Sequence, residues 1–196
     1  MNNKVQNVLL GVLAIGLIGI TVAYAALTQQ LKIEGTAKVA SSKWDVHFGT
    51  VSKGNAQGYA TAGTLAKTGE TTIAGDIGTL KAPGDSITYT FDIENAGDIN
   101  AIIDTVTGGQ SFTCTSATKS VADAVCKDLT YSIKYTDGNT TIAKGDKLAK
   151  ATNASTPTKK NVTLTLTYKS TATTVASEDV TVTADPMTIT YVQDAK

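Results

Sequence analysis

Apolar and polar residues alternate with a period of two in segment after segment of this chain, and that pattern restricts the fold more than any other feature. Trp44, Val46 and Phe48 fall on one face, with Asp45 and His47 on the other. Ile87, Tyr89, Phe91 and Ile93 alternate in the same way with Thr88, Thr90, Asp92 and Glu94. The pattern returns at Leu129–Tyr135, Val162–Tyr168 and Met187–Tyr191. Successive side chains of an extended strand point to opposite faces, so each run buries one face and wets the other. Turn chemistry separates the runs at Pro83-Gly84-Asp85, Asn95-Ala96-Gly97-Asp98, Gly108-Gly109 and Asp137-Gly138-Asn139. Asparagine, aspartate and glycine there supply the local hydrogen bonds and positive φ of tight reversals. About eight short strands at this spacing predict an all-β fold, an antiparallel β-sandwich of jelly-roll or immunoglobulin-like type, with a barrel as the alternative.

Two stretches depart from the pattern. Gly49 to Gly78 is rich in glycine, alanine and threonine, alternates weakly, and reads as an insertion or a mobile edge. Ser116 to Lys127 carries Val121, Ala122 and Val125 at helical spacing and hints at a short helix.

The N-terminus is different in kind. An apolar run from Val8 to Leu27 follows Lys4, the one charged side chain before it, and passes directly into the alternating segment Leu31–Val39. Ala23, Ala25 and Ala26 give the small residues that a signal peptidase needs around a cut between 25 and 26. The expected division is therefore a hydrophobic signal helix over residues 1–25 and a single β-sandwich domain over 26–196. A run of about 20 apolar residues also just spans a bilayer. A retained helix, the competing reading, would tether the domain to the membrane. Cleavage instead predicts a secreted or cell-surface protein.

Export places Cys114 and Cys126, the only cysteines, in an oxidising compartment, where a disulfide is the natural expectation. Two cysteines cannot complete a zinc site, and the single histidine, His47, is distant in sequence. Lys+Arg and Asp+Glu both total 17, all the basic residues being lysine. Without arginine or a basic stripe, nucleic acid is not an expected partner.

The inventory also disfavours an enzyme, and no cofactor is expected. There is no HExxH and no phosphate-cradling GxxxxGK[ST] loop. A Ser-His-Asp arrangement would have to use His47, which alternates outward and reads as a solvated strand residue. Asp92 and Glu94 fall on the solvent face of one strand. Asp98, Asn100 and Asp104 lack the DxDxDG form of a calcium loop and read as turn residues. Asn-x-Ser/Thr triplets begin at Asn139, Asn153 and Asn161.

The run from Leu80 to Asp98 resembles the TasA/camelysin family of exported proteins of Gram-positive bacteria in its Pro83-Gly84-Asp85 turn, alternating strand and Asn95-Ala96-Gly97 turn. The start is similar too, with an apolar leader, a small-residue cut site and a strand directly behind it. The resemblance implies a jelly-roll-like sandwich whose N-terminal strand, freed by cleavage, inserts into the next subunit of a biofilm matrix fibre. Carried onto this chain, the donor strand would be residues 26–39, with Leu27, Leu31, Ile33, Ala37 and Val39 as its inward set. Adding a strand in this way satisfies unpaired backbone groups and fills an apolar groove. Some members are filed as metallopeptidases, an activity for which this sequence has no visible residues, and the cysteine pair lies outside the family pattern. The expected partners are thus other copies of the chain and, during export, a signal peptidase.

Two alternatives stand beside this. In one, Leu31–Val39 opens the chain's own sandwich, since exported β-domains commonly begin with a strand. In the other, the chain is a monomeric or membrane-anchored binding module, an adhesin or carbohydrate-binding sandwich, for which Tyr59 is the one aromatic clearly outside a strand's inward set.

Overall fold

The computed structural model describes residues 2–27, 35–153 and 155–194. The chain forms two compact units, Met1–Ala40 and Ser41–Lys196. In the first, helix α1 covers Asn3–Leu27, so Ala23, Ala25, Ala26 and Leu27 all fall within its backbone. Over the residues whose side chains are described, no helix is long and apolar enough to cross a membrane. Leu31 and Ile33, two of the expected donor residues, lie outside the described residues. Ala37 and Val39 are described and belong to no strand, and Val39 is 95 % exposed. No strand is assigned over Gly35–Ala40 in the single chain.

The second unit is all-β apart from one short helix and one 3-10 turn. Its strands are β1 (Val46–Val51), β2 (Asn55–Gln57), β3 (Thr61–Ala62), β4 (Ala66–Gly69), β5 (Thr72–Ala74), β6 (Gly78–Thr79) and β7 (Ser86–Asn95). They continue with β8 (Ala101–Thr107), β9 (Phe112–Thr115), β10 (Leu129–Tyr135), β11 (Lys147–Leu148), β12 (Thr158–Tyr168), β13 (Thr181–Ala184) and β14 (Thr188–Gln193). Helix α2 covers Lys119–Lys127. It buries Ala122 and Val125, the stripe read from the sequence.

The main sheet is antiparallel in the order β1-β7-β12-β10, with β2 also paired to β7 beyond a register shift in β1. A second sheet runs β11-β8-β14. Residues from both sheets share one core: Ile87, Tyr89, Phe91 and Ile93 of β7, Val162 and Leu164 of β12, and Ala101 and Ile103 of β8. The period-two pattern thus did what it predicts for a sandwich. At about 25 cal/mol per Å² of apolar surface, such fully covered side chains stabilise by roughly 1.5–3 kcal/mol each.

Two details of the sequence reading need correction. Gly49 to Gly78 is ordered, with β2 to β6 inside it and Leu65, Ile73 and Ile77 packed against the core. Its alternation is weak because the strands are only two to four residues long. Trp44 lies before β1 and is 44 % exposed rather than inward, because Lys43–Asp45 is held on a turn instead of in the sheet.

That turn and the one at the other end of β7 are built on two buried polar residues, Asp85 and Asn95, each 1 % exposed. In the Pro-Gly-Asp turn, Gly84 has φ +96°, a conformation that glycine adopts without a Cβ clash. The Asp85 carboxylate accepts from the backbone N–H groups of Lys81 (2.7 Å), Ala82 (2.9 Å) and Tyr59 (2.8 Å). Burial pushes this carboxyl's pKa up, but the three donors outweigh it and hold the pKa below the ordinary value. At the far end, the Asn95 side chain accepts from Gly97 N–H (2.9 Å) and donates to the Ile99 carbonyl (2.8 Å). The turn then clamps the incoming chain: Ala96 N–H donates to Asp45 O and Asp98 N–H to Lys43 O. A Cβ on Gly97 would lie 2.4 Å from the Lys43 carbonyl oxygen, so the close approach requires glycine.

Candidate functional site

A cleft of about 630 Å³ lies at the Asp85 end of the sandwich. One wall is Gly75–Leu80, which contains β6, and the other is Ala176–Ala184, which contains β13. Val125, Leu129, Leu166 and Tyr168 line it between these walls. Among the described residues, β6 pairs with β3 alone and β13 with β9 alone. Two strands, each paired on one side alone, therefore line a partly apolar trough. A sheet with such an unpaired edge offers backbone donors and acceptors to any extended segment.

The wall carrying β13 is held by polar contacts. Glu178 accepts from Thr118 N–H (2.7 Å) and Ser116 Oγ (3.0 Å) just ahead of α2. Thr118, at the N-cap position, makes no side-chain capping bond of its own, so Glu178 supplies an acceptor from across the chain. The Thr118 N–H bond, followed by that from Ser116, holds the Glu178 pKa below the ordinary carboxylate value. Cys114 in β9 and Cys126 in α2 form a disulfide with Cα atoms 6.0 Å apart, the pairing expected from the sequence. Val125, Leu129 and Tyr168 form a small core separate from that of the sandwich, and Cys114, Val180 and Val182 pack against it. Among the described residues, the charged ones lining the cleft are Asp76, Glu178 and Asp179.

A second polar group lies on the outer face of the main sheet. His47 Nδ1 is 2.7 Å from Asp45 Oδ1, and its Nε2 is 3.6 Å from Glu94 Oε2. Lys159 reaches Glu94 at 2.7 Å and Asp92 at 3.3 Å. His47 is 19 % exposed in its side chain, so it is a networked residue rather than the solvated one expected. Glu94 (12 %) and Asp92 (20 %) are likewise more covered than a free solvent face implies, because β1 and β12 flank β7. The Glu94 bond, then that to Asp92, raises the Lys159 pKa, which keeps the ammonium protonated and unreactive. This cluster reads as a cross-strand ion network.

Among the described residues no group of three or more histidine, cysteine or acidic side chains is placed to hold a metal ion. Of the residues proposed from the sequence, Cys114 packs against the small core whose Val125, Leu129 and Tyr168 line the cleft, and Ala37 and Val39 belong to the N-terminal unit. The cleft itself was not read from the sequence: its walls come from the weakly patterned stretches around β6 and β13, and only the pairing order reveals their open edges. Searches for a matching protein-family model, a curated relative or a similar solved structure find none.

Proposed function

We propose that this chain is an exported structural protein, a subunit of an extracellular matrix fibre or surface filament that assembles by donating its N-terminal segment to a neighbouring copy. The observation that carries this reading is the trough between β6 and β13, lined by strands that pair on one side only. The donor is residues 26–39 after cleavage between Ala25 and Ala26. Its odd-numbered apolar residues, Leu27, Leu31, Ile33, Ala37 and Val39, share one face when extended and match the apolar floor. The exposure of Val39 and the absence of a strand over Gly35–Ala40 leave that end of the segment available. Charge adds support, since the charged residues described in the cleft lining are acidic while the segment carries Lys32 and Lys38 beside Glu34. The resemblance of Leu80–Asp98 to the TasA/camelysin family, with its jelly-roll-like sandwich, points the same way.

The test is to purify residues 26–196 and residues 41–196 and follow both by sedimentation and negative-stain microscopy at high concentration. The longer form assembles into filaments and the shorter stays monomeric. A longer form that stays monomeric at every concentration removes the proposal. N-terminal sequencing of the exported protein gives Ala26 as its first residue, whereas an intact Met1 or Asn2 would replace the free donor with a tether.

One observation favours a second reading, a sugar-binding surface module: Tyr59 is 76 % exposed on the loop between β2 and β3. Selective glycan-array binding lost in Tyr59→Ala would support it.

A further inference from the structure

We infer that the Cys114–Cys126 disulfide is the switch that makes the cleft able to accept a strand, so that the chain becomes competent to assemble only once it is oxidised. This rests on the donor-strand reading above and adds its control. Cys114 packs against the small core of Val125, Leu129 and Tyr168, whose buried residues are distinct from those of the sandwich core. Cys114 stands opposite Val182 in the β9–β13 pair, and Cys126 follows Val125, which lines the cleft. The disulfide therefore ties the β13 wall, through β9, to α2.

Without the crosslink these parts are held by the Glu178 bonds to Thr118 and Ser116 and by packing on the small core around Val125. β9 and β13 form an isolated two-stranded sheet, and such a pair is marginal in water on its own. α2 has nine residues, below the length at which a helix is stable alone. The sandwich has its own core of buried residues and does not contain either cysteine. Reduction thus frees the wall and leaves the sheets. In the forward step the two thiols of Cys114 and Cys126 lose two electrons and two protons as the S–S bond forms. A disulfide-bearing oxidant receives them by thiol–disulfide exchange and leaves as a dithiol. A chain kept reduced before export would carry a donor segment but no acceptor.

The experiment uses residues 26–196 in three forms: oxidised, reduced with a phosphine, and the double variant Cys114→Ser/Cys126→Ser. Assembly is read by microscopy, and local opening by hydrogen exchange. The oxidised form assembles, while the reduced form and the double variant do not. Their exchange rises by about a hundredfold over residues 112–127 and 172–184, the factor that closing a loop of this size removes from chain entropy. Exchange in β7 and β12 is unchanged, and reoxidation of the reduced form restores assembly. Assembly of the reduced form equal to that of the oxidised form overturns the inference. So does exchange that rises throughout, β7 and β12 included, because the bond would then be a staple of the whole domain. If the oxidised form itself fails to assemble, the filament reading falls and the switch falls with it, whereas loss of assembly only on reduction leaves both standing.

Discussion

Replacing Asp85 by asparagine keeps its shape and removes its charge, and the geometry of the turn sets the cost. Oδ2 accepts from Lys81 and Ala82, and Oδ1 from Tyr59, so one oxygen serves two donors and the other serves one. Asparagine has a single carbonyl oxygen and must choose. The less costly orientation keeps Lys81 and Ala82 and turns the amide NH₂ toward the Tyr59 N–H. A buried donor left without a partner costs about 1–3 kcal/mol. The two surviving bonds also fall from charge-assisted to neutral, which roughly halves each of them. Asp85→Asn is therefore expected to destabilise by about 3 kcal/mol at pH 7, or about 1.5 M in urea midpoint at an m near 2 kcal/mol/M. The folded-state pKa of Asp85 lies below the ordinary aspartate value, so its contribution is complete above that value and is lost as pH falls through the lowered pKa. The gap between wild type and Asp85→Asn, measured by urea unfolding, is constant from pH 7 to about pH 5 and closes in more acidic solution. A midpoint change under about 0.3 M, or a gap that does not close on acidification, would refute the reasoning.

Other outcomes follow from the same geometry. Ile87→Ala, at a position 0 % exposed in the sandwich core, costs about 2–5 kcal/mol by chemical denaturation. Gly97→Ala forces a Cβ toward the Lys43 carbonyl, costs about 1–3 kcal/mol, and raises hydrogen exchange at Ala96 and Asp98, whose N–H groups bond to Asp45 and Lys43. Tyr59→Ala changes stability by less than about 0.5 kcal/mol, since its side chain is exposed and its backbone bond to Asp85 is kept. Val39→Asp in residues 26–196 leaves the urea midpoint unchanged and abolishes filaments seen by negative stain.

The strands that build the sandwich core were legible because each is long enough to repeat its alternation. β7 shows the pattern over ten residues and β12 over seven, from Val162 to Tyr168. β3 and β6, with two residues each, cannot express a period, and their place was visible only from pairing. Pro83-Gly84-Asp85 and Asn95-Ala96-Gly97 were legible as turns. Their deeper role was not, because the partners of Asp85 and Asn95 include Tyr59 and Ile99, which no local pattern links to them. Trp44 misled for the opposite reason: its parity matches Val46 and Phe48, yet the bonds from Lys43 and Asp45 to the turn at Ala96–Asp98 end the sheet before it. The disulfide followed from the cysteine count and the expectation of export, and the packing of Cys114 on the small core around Val125 did not.

The clamp at Lys43–Asp45 also has a mechanical meaning. Any load carried by the N-terminal segment enters the domain there and passes straight into β1, whose Val46 lies opposite Asn95 and whose Val51 lies opposite Phe91. A pull along that strand strains the ladder to β7 in shear, with all its hydrogen bonds resisting together, rather than peeling them one at a time. The force then reaches the middle of the main sheet, where β7 is bonded to β12 along its whole length.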